Sequence, residues 1–472
     1  MKRTLFTLFL FALLSISANA QTLITKKIFS TYVKDSVAIE VYLPKNYSKT
    51  EKYPVVYEFI YDHANYIAAT ASNMWDIPAL LVVHADIKGG NDHYKSTNLD
   101  AEGVKYYGFV KNELIPYIDK TYNTANLKVA AGLSQGADYI NYILRNDPSL
   151  FNTYLNFSLE RPIYYTPDFS SYTAKVKDTT AYFIAIANDI PERVKFANQL
   201  VDSLKKSPYI NIQKENFNNA IHSYSILYAL PEALLFAFKN YNIVRKKRSD
   251  EALATYYNAV LTEKTEKYGN INYNELIYQI LSNSDISKST DSEIKAFIDS
   301  VNSMKQCMDI DLFVVGYELM SKGLYQNAEK AYQMALLKKQ NTGKSYMDDI
   351  SVYFQLAKVY DLDAKPDEAL KILQEGYLNT KAKNESMLYV IGYRYIDKNI
   401  DVDKGIALLK SMLTGKHIVL GHWSKTDDSV NAEIAKGYFY LKNISQAKIY
   451  LNKSLKINPK NEAALKLQAS LN

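Results

Sequence analysis

The sequence predicts an α/β domain followed by an all-α domain. Short β-rich runs alternate with amphipathic helices up to about residue 242, and strand signals disappear from Arg248 onward. The later part repeats at a period near 34 residues. Strands that alternate with helices are typical of a mostly parallel sheet with helices on both faces. A chain of 472 residues is long enough for two or three apolar cores.

The first twenty residues have the three parts of a secretory signal peptide. Lys2 and Arg3 are basic, Leu5–Ile16 is apolar, and Ala18–Ala20 fits the small-residue cleavage rule. We therefore expect a protein that is periplasmic or secreted, with a mature chain that begins at Gln21. No later apolar run is long enough to form a membrane-spanning helix.

The charge balance argues against a nucleic-acid-binding protein, and the cysteine content argues against a disulfide-stabilised one. The chain carries 56 Lys and Arg against 50 Asp and Glu, and removal of the two basic signal residues leaves 54 − 50 = +4. This near-neutral balance gives no electrostatic footprint for nucleic acid. Cys307 is the only cysteine, so the chain has no intramolecular disulfide.

The elements of the first domain, residues 21–242, follow from hydrophobic periodicity. Strands are predicted at 36–43, 53–60, 79–87, 127–131, 153–159, 180–187 and 210–217, and helices at 103–122, 137–145, 191–204 and 225–241. The nearly continuous apolar run at 79–87 is typical of a buried central strand. Pro191 fits the first turn of the helix that it opens.

Small residues recur at fixed intervals in the second half. Three windows share the spacing, and a looser fourth copy contains Gly392 and Gly405: Gly316, Ala328 and Ala335; Ala357, Ala369 and Gly376; Ala435, Ala447 and Ser454. A period near 34 with small residues where two helices cross resembles tetratricopeptide repeats, which stack antiparallel helix pairs into an array. We assign 309–465 to the repeats and 243–308 to a helical connector. A generic helical bundle is the alternative.

Residues Gly132–Gly136 read G-x-S-x-G between a predicted strand and a predicted helix. This context is that of a nucleophile elbow. Its turn is so sharp that the flanking positions must lack bulk, which the two glycines satisfy. Ser134 would then stand out at the end of a strand, where a base can reach it. The alternative is an ordinary strand-to-helix turn in which Ser134 is a polar filler.

A serine nucleophile needs a base and an acid that orients the base. Two of the three histidines after Ser134 lie in the predicted helical array, which leaves His222, after the last strand. Asp189 follows an intervening strand and is the preferred acid. Glu192 is a rival, but it falls in a first helical turn, where acids commonly favour the helix dipole. Individually, His222 also fits a surface loop and Asp189 a helix N-cap.

Residues 22 to about 240 resemble the esterase D and serine esterase branch of the α/β-hydrolases, which includes siderophore esterases. Four segments carry the resemblance: Lys52–Tyr57, Phe109–Asp119, Gly132–Gly136 and Ala220–Ser223. It implies an α/β-hydrolase fold and ester hydrolysis through an acyl-enzyme, with Ser134 as nucleophile, His222 as base and Asp189 as orienting acid. Some relatives also carry tetratricopeptide repeats at the C-terminus, as the second half does here.

The oxyanion hole is expected from the backbone N–H groups of Asp62 and Gln135. The sequence departs from the family pattern at Leu133, Ala137 and His63, where the family usually has histidine, glycine and glycine. A side chain at His63 is expected to narrow the site or to turn the donor away. These departures favour an alternative function, a catalytically weak hydrolase-fold scaffold whose repeats recruit a protein partner.

We thus predict an exported serine carboxylic-ester hydrolase that acts on a small ester and needs no cofactor. Acyl transfer to a carbohydrate or lipid is a third possibility. A metal site at His84, Asp86, Asp92 and His93 is not expected, because these residues show no fixed ligand spacing.

Overall fold

The computed structural model describes residues 21–60, 62–87, 101–160, 169–342, 349–379, 385–413 and 426–471. The predicted signal peptide, Asp92 and His93 lie outside the described residues. The described chain falls into two compact units. The first ends at Arg245 and also takes in Asn258–Asn272, and the second holds Lys246–Tyr257 and the residues from Tyr273 onward. The connector predicted at 243–308 thus divides between the two units.

The first unit is built on an eight-stranded sheet in the order β1-β2-β4-β3-β5-β6-β7-β8. The strands are β1 Thr22–Phe29, β2 Ser36–Leu43, β3 Tyr53–Phe59, β4 Leu81–Ala85, β5 Thr124–Ser134, β6 Thr153–Leu159, β7 Thr180–Asn188 and β8 Ile210–Ile221. The β1–β2 and β2–β4 pairs are antiparallel, and the pairs from β4 to β8 are parallel. The sheet is therefore mostly parallel, as the sequence predicts.

The sequence does not reveal β1. Its side chains are mostly exposed at the edge of the sheet, so the strand has no buried face to produce an apolar alternation. By contrast, every residue of β3, β4 and β6 is buried. Parallel strands covered on both faces have near-continuous apolar sequences, which makes them visible in the sequence.

The helices of the first unit begin with α1, Ala64–Ser72. They continue with α2 Ala101–Phe109, a π-helical turn at Val110–Leu114, α3 Ile115–Tyr122, α4 Gln135–Asn146, α5 Pro191–Leu204 and α6 Ser225–Ala237. Short 3-10 turns lie at Pro148–Leu150, Phe169–Tyr172 and His222–Tyr224. One continuous core packs the sheet against these helices. Its fully buried aromatic side chains include Tyr57, Phe59 and Tyr154 from the sheet and Tyr139 from α4.

The second unit contains helices and no strand within its described residues. The helices from the connector onward are α7 Leu253–Tyr268, α8 Tyr273–Asn283, α9 Asp291–Ser303, α10 Asp309–Ser321, α11 Tyr325–Thr342, α12 Asp349–Leu362, α13 Pro366–Asn379, α14 Glu385–Asp397, α15 Val402–Met412, α16 Asp427–Tyr440, α17 Ile444–Ile457 and α18 Glu462–Leu471, with a 3-10 turn at Ile286–Lys288. A Cβ on Gly316 would come within 2.8 Å of the Tyr332 ring, and one on Gly405 within 2.8 Å of the Gly392 carbonyl oxygen. Small residues thus allow neighbouring helices to approach closely. No helix within the described ranges is both long and apolar enough to cross a bilayer.

The parallel strands position the polar residues that matter for function. Strands β5, β6, β7 and β8 run side by side in the same direction, so their carboxyl ends meet at one edge of the sheet. Such an edge is where open α/β sheets bind their ligands. Ser134, Glu160, Asp189 and His222 stand at or just beyond these four strand ends.

Candidate active site

Ser134 ends β5 with φ 55° and ψ −117°, an uncommon conformation for a residue other than glycine, and α4 begins at the next residue. Neither Gly132 nor Gly136 leaves room for a side chain. A Cβ on Gly132 would lie 2.3 Å from the Gly136 carbonyl carbon, and one on Gly136 would lie 2.6 Å from the Phe59 carbonyl oxygen. The strained turn is therefore held between its own backbone and the end of β3. Strain of this kind is concentrated at functional sites.

The structure brings His222 and Asp189 to this serine. His222 Nε2 lies 2.8 Å from Ser134 Oγ, and His222 Nδ1 makes a short hydrogen bond with Asp189 Oδ2. The rival acid Glu192 is exposed in the first turn of α5. The geometry thus joins Ser134, His222 and Asp189 in one hydrogen-bonded chain, with Asp189 and not Glu192 against the imidazole.

A fourth residue, Glu160, lies in the same site, and the sequence analysis misses it. Ser134 Oγ donates a hydrogen bond of 2.9 Å to Glu160 Oε2, and His222 Nε2 is 3.2 Å from the same oxygen. Arg193 forms a short ion pair with Glu160 Oε1 and a second pair of 3.1 Å with Asp189 Oδ1. The site therefore contains two carboxylates that share one guanidinium.

An irregularity in β6 positions Glu160. Leu133 pairs with Phe157, but the next residue, Ser134, pairs with Leu159, so Ser158 is an extra residue in β6. Ser158 has φ 44°, and its buried hydroxyl has no hydrogen-bond partner within the described residues. A bulge of this kind redirects the side chains that follow it. The only sequence signal for Glu160 is a charged residue directly after a buried strand that neighbours the elbow strand.

The ionisation of the site is set by these contacts. Partial burial alone would raise the pKa of Glu160, but hydrogen bonds from His222, Ser134 and Arg193 outweigh it and lower that pKa to about 2. Burial alone would lower the pKa of His222, but its hydrogen bonds to Glu160 and Asp189 outweigh the burial and raise that pKa above 6.5. The imidazole consequently keeps its proton to a higher pH than an ordinary histidine.

Of the two expected oxyanion donors, Gln135 directly follows Ser134. Gln135 is the first residue of α4, so its backbone N–H belongs to a helix N-terminus directly after Ser134. Asp62 lies in the segment between β3 and α1, two residues after Ile60, which has φ 80°. Gly136 allows α4 to pack against this segment, because a Cβ there would be 3.9 Å from Ile60 Cβ as well as close to Phe59.

His63, the residue where the family usually has glycine, faces a buried carboxylate. Its Nδ1 is 3.9 Å from Glu58 Oε1, while Glu58 Oε2 lies 2.5 Å from His84 Nδ1. Glu58 and His84 are paired neighbours on β3 and β4 and are both buried. Hydrogen bonding to Glu58 outweighs the effect of burial and raises the pKa of His84. An ion pair therefore lies under the segment that carries Asp62.

Of the four residues considered as metal ligands, His84 and Asp86 lie within the described residues. His84 is engaged with Glu58, and the described parts of the chain contain no group of three or more His, Cys, Asp and Glu side chains placed to hold a metal ion.

Comparison with known proteins supports an esterase. The family model Esterase, described as "Putative esterase", matches residues 30–168. No curated protein matches the chain. The match supports carboxylic ester hydrolysis as the activity of the first unit.

Solved structures resemble the chain at low identity. An uncharacterised protein from Capnocytophaga ochracea is 16% identical with a TM-score of 0.47, over 75% of this chain and 94% of that chain. An IroE-like serine hydrolase from Shewanella oneidensis is 20% identical with a TM-score of 0.44, over 59% of this chain and 98% of that one. A feruloyl esterase module from Clostridium thermocellum is 16% identical with a TM-score of 0.39, over 49% of this chain and 92% of that one.

Proposed function

We propose that the protein is an exported serine carboxylic-ester hydrolase that works through an acyl-enzyme on Ser134. The observation that carries this proposal is the hydrogen-bonded chain from Ser134 Oγ through His222 to Asp189. A serine, a histidine and a buried acid in this order have the geometry of a catalytic triad. The esterase family match to residues 30–168 supports the same reaction.

In the proposed reaction, His222 Nε2 accepts the hydroxyl proton as Ser134 Oγ attacks the ester carbonyl carbon. The backbone N–H groups of Gln135 and Asp62 would stabilise the oxyanion of the tetrahedral intermediate. His222 then gives the proton to the alcohol oxygen, and the alcohol leaves. A water molecule repeats the sequence on the acyl-enzyme and releases the acid. Asp189 holds Nδ1–H and stabilises the imidazolium in both halves.

The test is covalent labelling with a fluorophosphonate probe, which reacts with activated serines. We expect the wild-type protein to be labelled at Ser134 and the Ser134→Ala variant to remain unlabelled. Ser158→Ala is a matched control, because that serine is also buried at the end of a neighbouring strand but its hydroxyl has no hydrogen-bond partner within the described residues. Equal labelling of the wild type and Ser134→Ala would contradict the assignment.

A catalytically weak scaffold is the second candidate, and Glu160 is the observation that favours it. Glu160 Oε2 competes with His222 for the Ser134 hydroxyl proton, since both accept at nearly equal distance. A wild-type protein that folds but reacts with neither the probe nor p-nitrophenyl esters would support the scaffold.

Export and the repeat array are parts of the same proposal. The signal-peptide pattern supports cleavage before Gln21, which N-terminal sequencing of the protein from the cell envelope or medium tests. The tetratricopeptide-like reading of 309–465 is supported by close contacts at the repeated small positions, such as Gly316 against Tyr332. Repeat arrays present extended surfaces to other chains, so we assign this part to binding a protein partner.

A further inference from the structure

The Glu160 carboxylate stands where the alcohol part of an ester must pass. In an acyl-transfer reaction the leaving oxygen is bonded to the carbon that Ser134 Oγ attacks, and it takes its proton from His222 Nε2. It must therefore lie near both atoms. Glu160 Oε2 is 2.9 Å from Ser134 Oγ and 3.2 Å from His222 Nε2, so it borders this position.

The two oxygens of Glu160 have different surroundings. Arg193 pairs with Oε1, and its Nε donates to the Glu160 backbone carbonyl at 3.2 Å. Oε2 instead points to the nucleophile and the imidazole. Because Arg193 also pairs with Asp189, one guanidinium serves two carboxylates. When His222 is neutral, as catalysis requires, one negative charge at this site is uncompensated.

Catalysis removes the donor that Oε2 has at rest. For the attack, Ser134 Oγ must give its single proton to His222 Nε2, so it no longer donates to Oε2 while the alcohol part of the ester is still bound. A carboxylate oxygen that loses a hydrogen-bond donor in a partly buried site is destabilised unless another donor replaces it. The Glu160 side chain is 33% exposed, so a group of the substrate can reach it.

We infer that Glu160 determines specificity on the alcohol side of the ester. Its Oε2 receives a hydroxyl or a cationic group that lies close to the ester oxygen, and it disfavours alcohols that carry an anion. This inference rests on the proposed esterase function and adds the class of alcohol.

The experiment compares acetate esters of four alcohols, namely propan-1-ol, ethylene glycol, choline and glycolate. All four form the same acetyl-enzyme, so differences in kcat/KM report only the step in which the alcohol is present. For the wild type we expect the glycol and choline esters to exceed propyl acetate by about tenfold, and the glycolate ester to fall below it by about tenfold, as one charge-assisted contact would produce.

The Glu160→Gln variant keeps the shape and an acceptor oxygen but removes the charge. We expect its choline-to-glycolate ratio of kcat/KM to fall from about a hundredfold toward one, while the glycol ester keeps part of its advantage. Glu192→Gln is the matched control, because it removes an exposed carboxylate from the first turn of α5. It should leave the ranking of the wild type unchanged.

A choline-to-glycolate ratio in Glu160→Gln equal to that of the wild type would overturn the inference. If Glu160→Gln does not fold by circular dichroism, Arg193→Gln provides the opposite test, because it unmasks the carboxylates and should raise the ratio. An unchanged or lower ratio in Arg193→Gln would likewise overturn it. A folded wild type that is inactive on these esters and on p-nitrophenyl acetate overturns the proposed function and the inference together, whereas activity on p-nitrophenyl acetate with equal ratios overturns the inference alone.

Discussion

Asn188, the last residue of β7, pairs with Ile221, the last residue of β8. The register shifts just before this pair, because Ala187 is opposite Phe217. The residues that follow on the two strands are Asp189 and His222, so this pairing sets the carboxylate directly against the imidazole. The pairing of the ends of β7 and β8 thus determines which acid orients the base.

The first prediction follows from that relationship. His222→Ala should lower kcat on p-nitrophenyl acetate by about four orders of magnitude, and Asp189→Asn by a comparable factor, because the base is lost or left in the wrong tautomer. Glu192→Gln should retain activity within about twofold, since this exposed carboxylate has no contact with the imidazole within the described structure. A larger loss in Glu192→Gln than in Asp189→Asn would identify Glu192 as the acid.

The second prediction concerns pH. Burial lowers the pKa of His222, but hydrogen bonds to Glu160 and Asp189 outweigh the burial and raise that pKa above 6.5. The base works only when neutral. The acid limb of kcat/KM should therefore have its midpoint above pH 6.5, with activity lost as the pH falls through it.

The Glu160→Gln variant tests whether Glu160 raises the pKa of His222. Removing the anion destabilises the imidazolium, so the pKa of His222 falls and the acid limb moves to lower pH. The profile should be measured with a neutral ester, so that the substrate does not titrate. A limb that stays in place or moves to higher pH would show that Glu160 does not control the ionisation of His222.

The sequence predicts the serine, the base and the acid because chain order and strand-end position are both readable from it. It does not predict Glu160, because this residue reaches Ser134 only through the extra residue Ser158 in β6. An apolar run predicts that a strand is buried, but it does not show where a bulge shifts the register of the strand pairing. The orientation of a side chain after a bulge is therefore a property of tertiary pairing.

The third prediction concerns the contact between the elbow and the segment that carries Asp62. Gly136→Ala would place a Cβ 2.6 Å from the Phe59 carbonyl oxygen. The clash must push β3 and α4 apart, which costs about 1–3 kcal/mol in the free energy of unfolding. It should also lower kcat more than it changes KM, because an oxyanion donor is displaced.

Ala137→Gly is the control for this clash. This variant makes the reverse exchange, alanine to glycine, at the next position of α4. It adds no atom that could clash, so it should lower the free energy of unfolding by only about 1 kcal/mol. Its kcat should stay close to that of the wild type. Equal kcat in Gly136→Ala and the wild type would show that the segment after β3 does not contribute to catalysis.

The fourth prediction concerns the buried pair of Glu58 and His84. Glu58→Gln should lower the free energy of unfolding by about 3 kcal/mol near pH 6, because it leaves the buried imidazolium without its counter-charge. Because the pKa of His84 is raised in the folded protein, the stabilisation is full below the unfolded pKa and is lost as the pH rises through the folded value.

Chemical denaturation across this pH range measures the effect. Glu40→Gln is the control, since Glu40 pairs with His84 in the β2–β4 register but is only partly buried and accepts a hydrogen bond from Tyr42. It should cost less than about 1 kcal/mol. A loss of stability in Glu58→Gln that grows with rising pH would contradict a charged pair.

The last prediction concerns where the first unit ends. Sequence periodicity shows that 258–268 is helical, but not what it packs against. The structure joins it to the residues that follow α6. The Tyr268 ring packs against the rings of Phe238 and Tyr241, and Lys264 Nζ donates to the backbone carbonyls of Tyr241 and Ile243. Asn270 also hydrogen-bonds to Glu51 at 2.6 Å.

A chain truncated after Asn272 should therefore fold and hydrolyse p-nitrophenyl acetate, whereas one truncated after Tyr241 should be less stable. The shorter chain loses two aromatic contacts of about 0.5–1.5 kcal/mol each as well as the apolar area beneath them. Melting temperature and kcat/KM of the two chains measure the difference. Because the triad is complete in both, the shorter chain should retain the residues for catalysis and fail through unfolding. If the longer chain is folded but inactive, the second unit contributes to the active site and hydrolysis is not a property of the first unit alone.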